Sequence, residues 1–191
     1  MKIMNKQKFS IKQDSIQLIN LGLSSGTLWT DRNLGANCPE GYGDYFRFGE
    51  TTPFVENSSE YEYKKLPESI AGTKYDAATF IFGKGFVMPT FNQFIELIKE
   101  CRWEWITVNG INGEKVTGPN GNYIFLPASG YRGGSLKLLK AVNVQGFYST
   151  AMLGDMYRRH YLFLCSRFCN YHMYYNDIGF TVRPVAKTES T

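Results

Sequence analysis

Closely spaced turn signals are the feature of this sequence that most limits its fold. Ser24–Gly26, Asn109–Gly110 and Pro119–Asn122 combine Gly, Asn, Ser and Pro, the residue types that tight turns require. The 19 glycines add further breaks, and many segments between them are short and rich in aromatic residues. Such a chain cannot fold mainly into long helices, so the sequence predicts many short strands joined by turns.

One segment carries the signals of a helix of several turns. Thr90 and Gln93 have the spacing of a capping box, and Pro89 precedes the cap, where it cannot interrupt the helix. We predict one clear helix over residues 90–102, and a short second helix near residues 76–82 within a polar excursion over residues 49–85. The apolar residues that recur at helical spacing in the first helix are Phe91, Phe94, Ile95, Ile98 and Cys101.

The other apolar segments predict strands, and the whole pattern predicts a single α+β domain over residues 16–186. Residues 1–15 are predicted to form a flexible N-terminal segment and residues 187–191 a C-terminal tail, while residues 128–134 are predicted as a loop. The predicted strands cover residues 16–23, 27–34, 42–48, 103–108, 115–117, 123–126, 146–150, 160–165 and 180–185.

Charge and hydropathy argue against two classes of partner. The formal net charge is +4, and the basic residues are dispersed rather than gathered in a run that could follow a phosphate backbone. The chain has no apolar run long enough to span a bilayer, and Met1–Asn20 lacks the apolar core of a signal peptide. We therefore predict neither nucleic-acid binding nor membrane insertion.

Six short blocks follow one another in the order found in a known family. They are LGLSSGTLW, GDYFRFGET, the helix start at Pro89–Thr90, KVTGPNGN, IFLPASGYR and the terminal GFTVRPV. Over residues 18–185 the chain resembles the bacterial major paralogous domain of the Fibrobacter type, a branch of the C-type-lectin-like fold of the formylglycine-generating-enzyme type. The resemblance implies that the N- and C-terminal strands pair, which would place INLGL beside FTVRPV.

The resemblance also implies a region of variable sequence. In this family the segment between a YWSST-like block and the terminal GFSVRPV-like block is often a target of diversity-generating retroelements, which mutate adenines of a template. Here the first block survives as Phe147–Thr150, without a Trp, and the second as Gly179–Val185. The resemblance therefore marks residues 151–178 as the candidate diversified segment.

The composition of residues 151–178 agrees with that mechanism. The segment contains no Lys, Glu, Gln or Trp, whereas the other 163 residues contain 32 of them. Codons that end in a pyrimidine cannot encode these four residues, and the variable codons of such templates usually end in one. Met152, Met156 and Met173 need a codon ending in G, so under this hypothesis they come from template positions of another codon type.

Strand alternation predicts which side chains face a ligand. In the strand over residues 160–165, Leu162 and Leu164 form the aliphatic pair that should point to the core, which turns Tyr161, Phe163 and Cys165 outward. The residues that follow have no aliphatic periodicity, and exposed rings on a soluble protein usually mark an interaction site. The alternative is that some rings pack beneath neighbouring loops. The predicted ligand-binding residues are Tyr157, Arg158, Tyr161, Phe163, Cys165, Arg167, Tyr171, His172, Tyr174, Tyr175 and Asp177.

Catalytic and metal-binding signals are weak. His160, Cys165, Cys169 and His172 lack zinc-site spacing, and membership of a variable exposed segment explains them better. Cys165 and Cys169 do not match the cysteine motif of the copper-dependent oxidase relatives, and neither calcium motif of the sugar-binding lectins is found. We predict no enzyme activity, no cofactor and no metal.

Two hypotheses about function remain open. The first is a ligand- or receptor-binding protein that displays a diversified surface over residues 151–178, in the manner of a phage tail tip or a bacterial surface protein. The alternative is a fixed carbohydrate-binding or cell-envelope module of the same fold. Either would engage a protein or glycan on a cell surface, and both predict an extracellular, cell-surface or virion-associated location.

Overall fold

The computed structural model describes residues 16–186, and strands make up most of its regular structure. The predicted N-terminal segment and C-terminal tail lie outside these residues. The helices are α1 (Ala77–Phe82) and α2 (Phe91–Glu100). The strands are β1 (Leu18–Asn20), β2 (Leu28–Thr30), β3 (Phe86–Val87), β4 (Arg102–Val108), β5 (Ile111–Thr117), β6 (Tyr123–Pro127), β7 (Tyr131–Gly133), β8 (Leu138–Lys140), β9 (Gln145–Leu153), β10 (Arg158–Cys165), β11 (Phe168–Tyr175) and β12 (Val185–Ala186).

Short antiparallel sheets make up the architecture, in keeping with an α+β or mainly β class. The strand orders are β1-β2-β12-β3, β11-β10-β9, β4-β5-β6 and β7-β8. Strand β9 contributes to each of the three clusters of buried apolar residues, through Tyr148, Ala151 and Phe147. These clusters therefore meet along β9, and this strand carries the hairpin β10–β11 described below.

Helix α2 begins as the sequence predicts. The Thr90 hydroxyl accepts a hydrogen bond from the Gln93 amide, and the Gln93 side chain accepts one from the Thr90 amide, which completes the capping box. Phe94 and Leu97 are fully buried, whereas Phe91 and Ile98 lie half-buried on the flanks of the apolar stripe. The predicted stripe omitted Leu97, which is central to it.

The pairing implied for the first and last strands is wrong in detail. Strand β12 pairs with β2 instead of β1, with Val185 opposite Trp29, and the Thr30 amide donates to the Pro184 carbonyl at 3.0 Å. This arrangement places the fully buried Trp29 at the centre of its sheet and leaves β1 at the edge. The two terminal segments therefore share a sheet without being neighbours.

Arg183 fixes the C-terminal segment against this sheet. Its guanidinium is fully buried and donates to the Asn33 side chain at 2.8 Å, the Thr30 carbonyl at 3.1 Å and the Phe125 carbonyl at 2.6 Å. Burial lowers the pKa of Arg183 to about 10, so the group still carries its charge at neutral pH. The guanidinium is bonded to three polar acceptors from two separate parts of the chain, Thr30 and Asn33 in one and Phe125 in the other.

Three other expectations need correction. Residues 42–48 do not form a strand and contribute only an isolated bridge between Phe46 and Phe180. The loop predicted over residues 128–134 contains β7. Residues 168–175 form β11, which the sequence did not predict because its side chains do not alternate between apolar and polar.

Glu114 is a buried carboxyl group in the central strand of the sheet β4-β5-β6. Its side chain shares a sheet face with Trp105 and Leu126, and only 5% of the residue is exposed. One carboxyl oxygen has no hydrogen-bond partner among the described residues. Burial raises the pKa of Glu114 to about 7, because the charged form loses its hydration without gaining a partner.

Truncation of Phe94 tests the position of α2. Phe94 is fully buried and its ring lies 5.3 Å from that of Trp29, so Phe94→Ala is expected to lower the free energy of unfolding by about 3–5 kcal/mol. Asn92→Ala, an exposed change on the same helix, is the matched control and should cost less than about 0.5 kcal/mol. Chemical denaturation measures both, and a loss below about 1 kcal/mol for Phe94→Ala would show that the helix face is misassigned.

The raised pKa of Glu114 predicts a pH-dependent penalty. Between pH 4.5 and 7 the unfolded chain loses the Glu114 proton while the folded chain keeps it, so this group's contribution to stability falls as pH rises through that window. Glu114→Gln removes the titration, and its melting temperature relative to the wild type should increase from pH 5 to pH 8. Thermal unfolding at both pH values tests this, and an unchanged difference would contradict it.

Candidate ligand-binding surface

The hairpin β10–β11 carries most of the predicted ligand-binding residues. Its strands are joined by a two-residue turn, Ser166–Arg167, and pair without a break from Cys165–Phe168 to Arg158–Tyr175. Residues directly opposite each other in an antiparallel pair project from the same face. The register therefore assigns every side chain of the hairpin to one of two faces.

The inner face of the hairpin packs on the core and on α2. Leu162 and Leu164 are fully buried there, as predicted, and Cys169 packs against the same cluster. Tyr171 also lies on this face, where its ring stands edge-on to Phe91 with centroids 4.9 Å apart. Tyr171 is 46% exposed, so it extends from the helix contact into solvent.

The outer face presents a group of rings that we call the aromatic surface, defined as Phe163, Phe168, His172 and Tyr174. Phe168 is 53% exposed, Tyr174 is 37% exposed and His172 is exposed, whereas Phe163 is half-buried. Phe163 lies between Phe168 and His172, with ring centroids 5.6 Å and 6.3 Å away. Phe163, Phe168 and His172 are therefore joined by ring contacts, and Tyr174 lies two residues beyond His172 on the same face.

A buried aromatic layer supports this surface. Phe147 and Tyr161 stack with centroids 5.6 Å apart, and Phe180 lies 4.9 Å from Tyr161. Burial raises the pKa of Tyr161 to about 12, so its hydroxyl stays protonated at neutral pH. Tyr174 packs on this layer, with its ring centroid 6.0 Å from that of Phe180 and 6.2 Å from that of Tyr161. These contacts orient its ring.

Arg159 anchors the end of the hairpin from within. Its guanidinium is fully buried, lies 4.3 Å from the centroid of the Phe180 ring and donates to the carbonyls of Asn176 at 3.1 Å and Ile178 at 2.6 Å. Burial lowers the pKa of Arg159 to about 9. These contacts hold the chain immediately after β11 against the aromatic layer.

The long excursion over residues 49–85 also reaches the candidate segment. Tyr63 packs edge-on against Tyr61 and Tyr157, with centroids 4.9 Å and 5.5 Å away. Burial, together with the charge and the hydrogen bond of Asp177, raises the pKa of the Tyr63 hydroxyl to about 12. A cavity of about 400 Å³ opens beside these residues and is also lined by Arg47, Phe54, Lys137 and Asp177.

The structure divides the predicted ligand-binding residues among three places. Tyr161, Phe163, Cys165, His172 and Tyr174 lie on the outer face, and Arg158, Tyr171 and Tyr175 on the inner face. Tyr157, Arg167 and Asp177 lie outside the paired strands.

One prediction is wrong: Tyr161 does point away from the main core, but it is only 6% exposed because Phe147, Phe180 and Tyr174 cover it. Arg158 is exposed but already paired, since its guanidinium lies 2.6 Å from the Asp155 carboxylate. Sequence reasoning also missed Phe168, although its place in the segment that lacks Lys, Glu, Gln and Trp could have identified it.

Two shallow cavities flank the aromatic surface. One, of about 320 Å³, lies beside the hairpin turn between Phe163, Arg167, Phe168 and Val144. The other, of about 170 Å³, lies above the buried layer next to Tyr174. The surface therefore offers two recesses in which a partner's side chain or sugar ring could be held.

No known protein family, curated protein or solved structure matches the chain. Within residues 16–186, no three His, Cys, Asp or Glu side chains lie close enough together to hold a metal ion. No helix of the described residues has the length and apolarity to cross a membrane.

Exposure predicts opposite outcomes for two tyrosines of the outer face. Tyr161→Ser removes a buried ring and should cost about 3 kcal/mol or more of unfolding free energy, whereas Tyr174→Ser removes a ring that is 37% exposed and should cost about 1 kcal/mol or less. Chemical denaturation of the two variants measures the difference. Equal losses would mean that the layer beneath the aromatic surface is wrongly placed.

Proposed function

We propose that this chain is a non-enzymatic ligand-binding protein, and that its aromatic surface engages a protein or glycan on a cell surface. The observation that carries the proposal is the set of rings Phe163, Phe168, His172 and Tyr174, which share the outer face of a sheet whose opposite face is packed on the core. Exposed rings cost free energy in water, and soluble proteins usually keep such patches for binding.

The chemistry of the surface suits recognition more than catalysis. Tyr, Phe and His offer large contact areas with few rotatable bonds, so little conformational entropy is lost on binding. Arg167 lies exposed at the hairpin turn and adds a planar hydrogen-bond donor beside the rings. The proposed location is accordingly extracellular, cell-surface or virion-associated.

We further propose that the scaffold is C-type-lectin-like, of the formylglycine-generating-enzyme type. In support, the matching blocks supply buried scaffold residues, including Leu21, Phe180, Val182 and Arg183, all fully buried. Residues 151–178, between Phe147–Thr150 and Gly179–Val185, supply the hairpin and its exposed rings. This division is what a fixed scaffold with a variable surface requires.

Diversification of residues 151–178 is the second part of the proposal. Most residues of β11 are exposed, so substitutions there change the surface without changing the core. Leu162, Leu164 and Arg159 are fully buried and should be fixed. The coding sequence tests this: a neighbouring reverse transcriptase gene, with a template copy carrying adenines at the codons of exposed residues, would support diversification, and adenines at the codons of the buried residues would contradict it.

A fixed carbohydrate-binding module remains the second candidate, and one observation favours it. The cavity beside Tyr61 and Tyr63 combines ring walls with the Asp177 carboxylate, and its charges are largely paired: Arg47 with Glu50 at 2.7 Å, and Lys137 with Glu60 at 3.0 Å. A charge-balanced cavity of rings and hydrogen-bonding groups suits a neutral sugar. Tyr63→Ser would then abolish glycan binding that Tyr174→Ser leaves unchanged.

Combined replacement of exposed residues tests the main proposal. The variant Arg167→Ser, Phe168→Ser and Tyr174→Ser should bind at least about 30-fold more weakly, because aromatic anchors often contribute about 2 kcal/mol or more each. Binding would be measured on a bacterial glycan array and on intact bacterial cells, with affinities determined for each positive target. The melting temperature should fall by only a few degrees.

The control variant replaces equally exposed rings elsewhere. Phe80 and Tyr123 are 67% and 54% exposed and lie outside residues 151–178, so Phe80→Ser with Tyr123→Ser should keep full affinity. Loss of binding in this control and retention in the test variant would move the site away from the aromatic surface. Turnover of a substrate by the purified protein would overturn the non-enzymatic assignment.

A further inference from the structure

The sheet β11-β10-β9 has one covered edge, along β9, and one free edge, along β11. Along β9 the outer edge is covered: Ser149 donates to the Thr181 carbonyl at 2.9 Å, Ala151 to Pro89 at 2.7 Å and Leu153 to Glu68 at 2.8 Å. No described strand pairs with the outer side of β11. One edge of the sheet is therefore covered and the other is free.

The hairpin register determines which backbone groups of β11 point outward. In a two-residue hairpin the residues that flank the turn, here Cys165 and Phe168, exchange hydrogen bonds, and bonded pairs then alternate along the strands. The even-numbered residues of β11 thus bond to β10, and Asn176 continues the pattern by donating to the Tyr157 carbonyl at 2.8 Å. The outward residues are Cys169, Tyr171, Met173 and Tyr175.

This edge carries none of the usual protection against pairing. Residues Phe168–Tyr175 contain no Asp, Glu, Lys, Arg or Pro, and the pairing with β10 has no bulge along their length. The strand has eight residues, of which seven are exposed and one, Cys169, is half-buried. The Tyr171 amide is occupied only by the adjacent Asn170 side chain, at 2.8 Å. Long, uncharged and exposed edges of this kind are templates for another strand.

We propose that β11 pairs antiparallel with β11 of a second copy of this chain about a two-fold axis. In such a pairing, residues whose backbone N–H and C=O groups point outward must lie opposite each other. These residues all have odd numbers, so the two residue numbers of each pair sum to an even number. An axis at His172 places Tyr171 opposite Met173 and Cys169 opposite Tyr175. All four outward residues then find a partner, whereas an axis at Tyr171 or Met173 leaves outward groups at one end unpaired.

The side chains are compatible with this register. Tyr171 and Met173 share the inner face, as do Cys169 and Tyr175, so each hydrogen-bonded pair brings a ring beside a sulfur atom. No Asp, Glu, Lys or Arg side chains meet, because the strand has none. The two His172 side chains lie opposite each other on the outer face, in the closely spaced, non-hydrogen-bonded position.

A second copy fits this edge better than a strand of another protein. Two-fold pairing satisfies the same free edge on both molecules at once, and it joins the two sheets into one without exposing a new edge of β11. It also places two aromatic surfaces side by side on one face. The inference does not depend on the proposed function, since it follows from the backbone edge and its register.

The association state of the full chain tests the proposal. Sedimentation equilibrium from about 1 µM to 500 µM should show a reversible monomer–dimer equilibrium, because an interface built around one pair of strands is small and small interfaces are commonly weak. His172→Glu places two carboxylates opposite each other at the axis and should raise the dimer dissociation constant at least about fivefold. Ser166→Glu adds the same charge at the exposed turn, outside the pairing, and should leave the constant unchanged.

Two further variants fix the register and guard against misfolding. Met173→Pro removes an outward N–H without removing a bond to β10, so the fold should survive while the dimer is lost. His172→Cys should cross-link as a disulfide dimer under oxidising conditions, because residues in this position are within disulfide reach, whereas Asn170→Cys should not. A monomer at every concentration, or a dimer unaffected by both His172→Glu and Met173→Pro, would overturn the proposal, as would cross-linking of Asn170→Cys in preference to His172→Cys.

Discussion

Packing around Phe180 is the interaction on which the candidate surface depends. Its ring is fully buried and lies against Phe147, Tyr161 and the Arg159 guanidinium, at 5.3 Å, 4.9 Å and 4.3 Å. Its backbone exchanges hydrogen bonds with Phe46, at 2.8 Å and 3.1 Å. A single residue of the C-terminal segment thus joins the first half of the chain to the layer beneath the aromatic surface.

The position of β11 in the fold does not depend on which rings its outer face carries. Tyr174 rests on Phe180 and Tyr161, but the backbone of β11 is held by its hydrogen bonds to β10 and not by its own side chains. Side chains that are mostly exposed add little to folding stability. The outer residues of β11 can therefore differ between related sequences while the strand keeps its place, which is the physical condition for a variable binding surface.

The sequence predicted those parts of the fold whose signals are local. The capping box of Thr90 and Gln93 located the start of α2, and the Asn109–Gly110 turn located the hairpin β4–β5. The alternation at Leu162 and Leu164 identified the inner face of β10 correctly.

The features that the sequence could not predict depend on contacts with residues distant in sequence. Tyr161 was placed outward because alternation says only which face a residue occupies, whereas its burial comes from the remote Phe147 and Phe180. Strand β11 escaped prediction because both of its faces carry rings, so no period of two is visible in its letters.

Arg159 fixes one boundary of the candidate surface through contacts with the backbone. A buried guanidinium must satisfy its donors, and here two of them are satisfied by backbone carbonyls, those of Asn176 and Ile178, which any residue at those positions would supply. The anchor therefore fixes the path of the chain after β11 without specifying its side chains. Tyr175 and Asp177 lie on either side of Asn176, whose carbonyl accepts from Arg159. This contact positions both residues and does not depend on their side chains. Loss of Arg159 would release that end of the hairpin even though no exposed ring had changed.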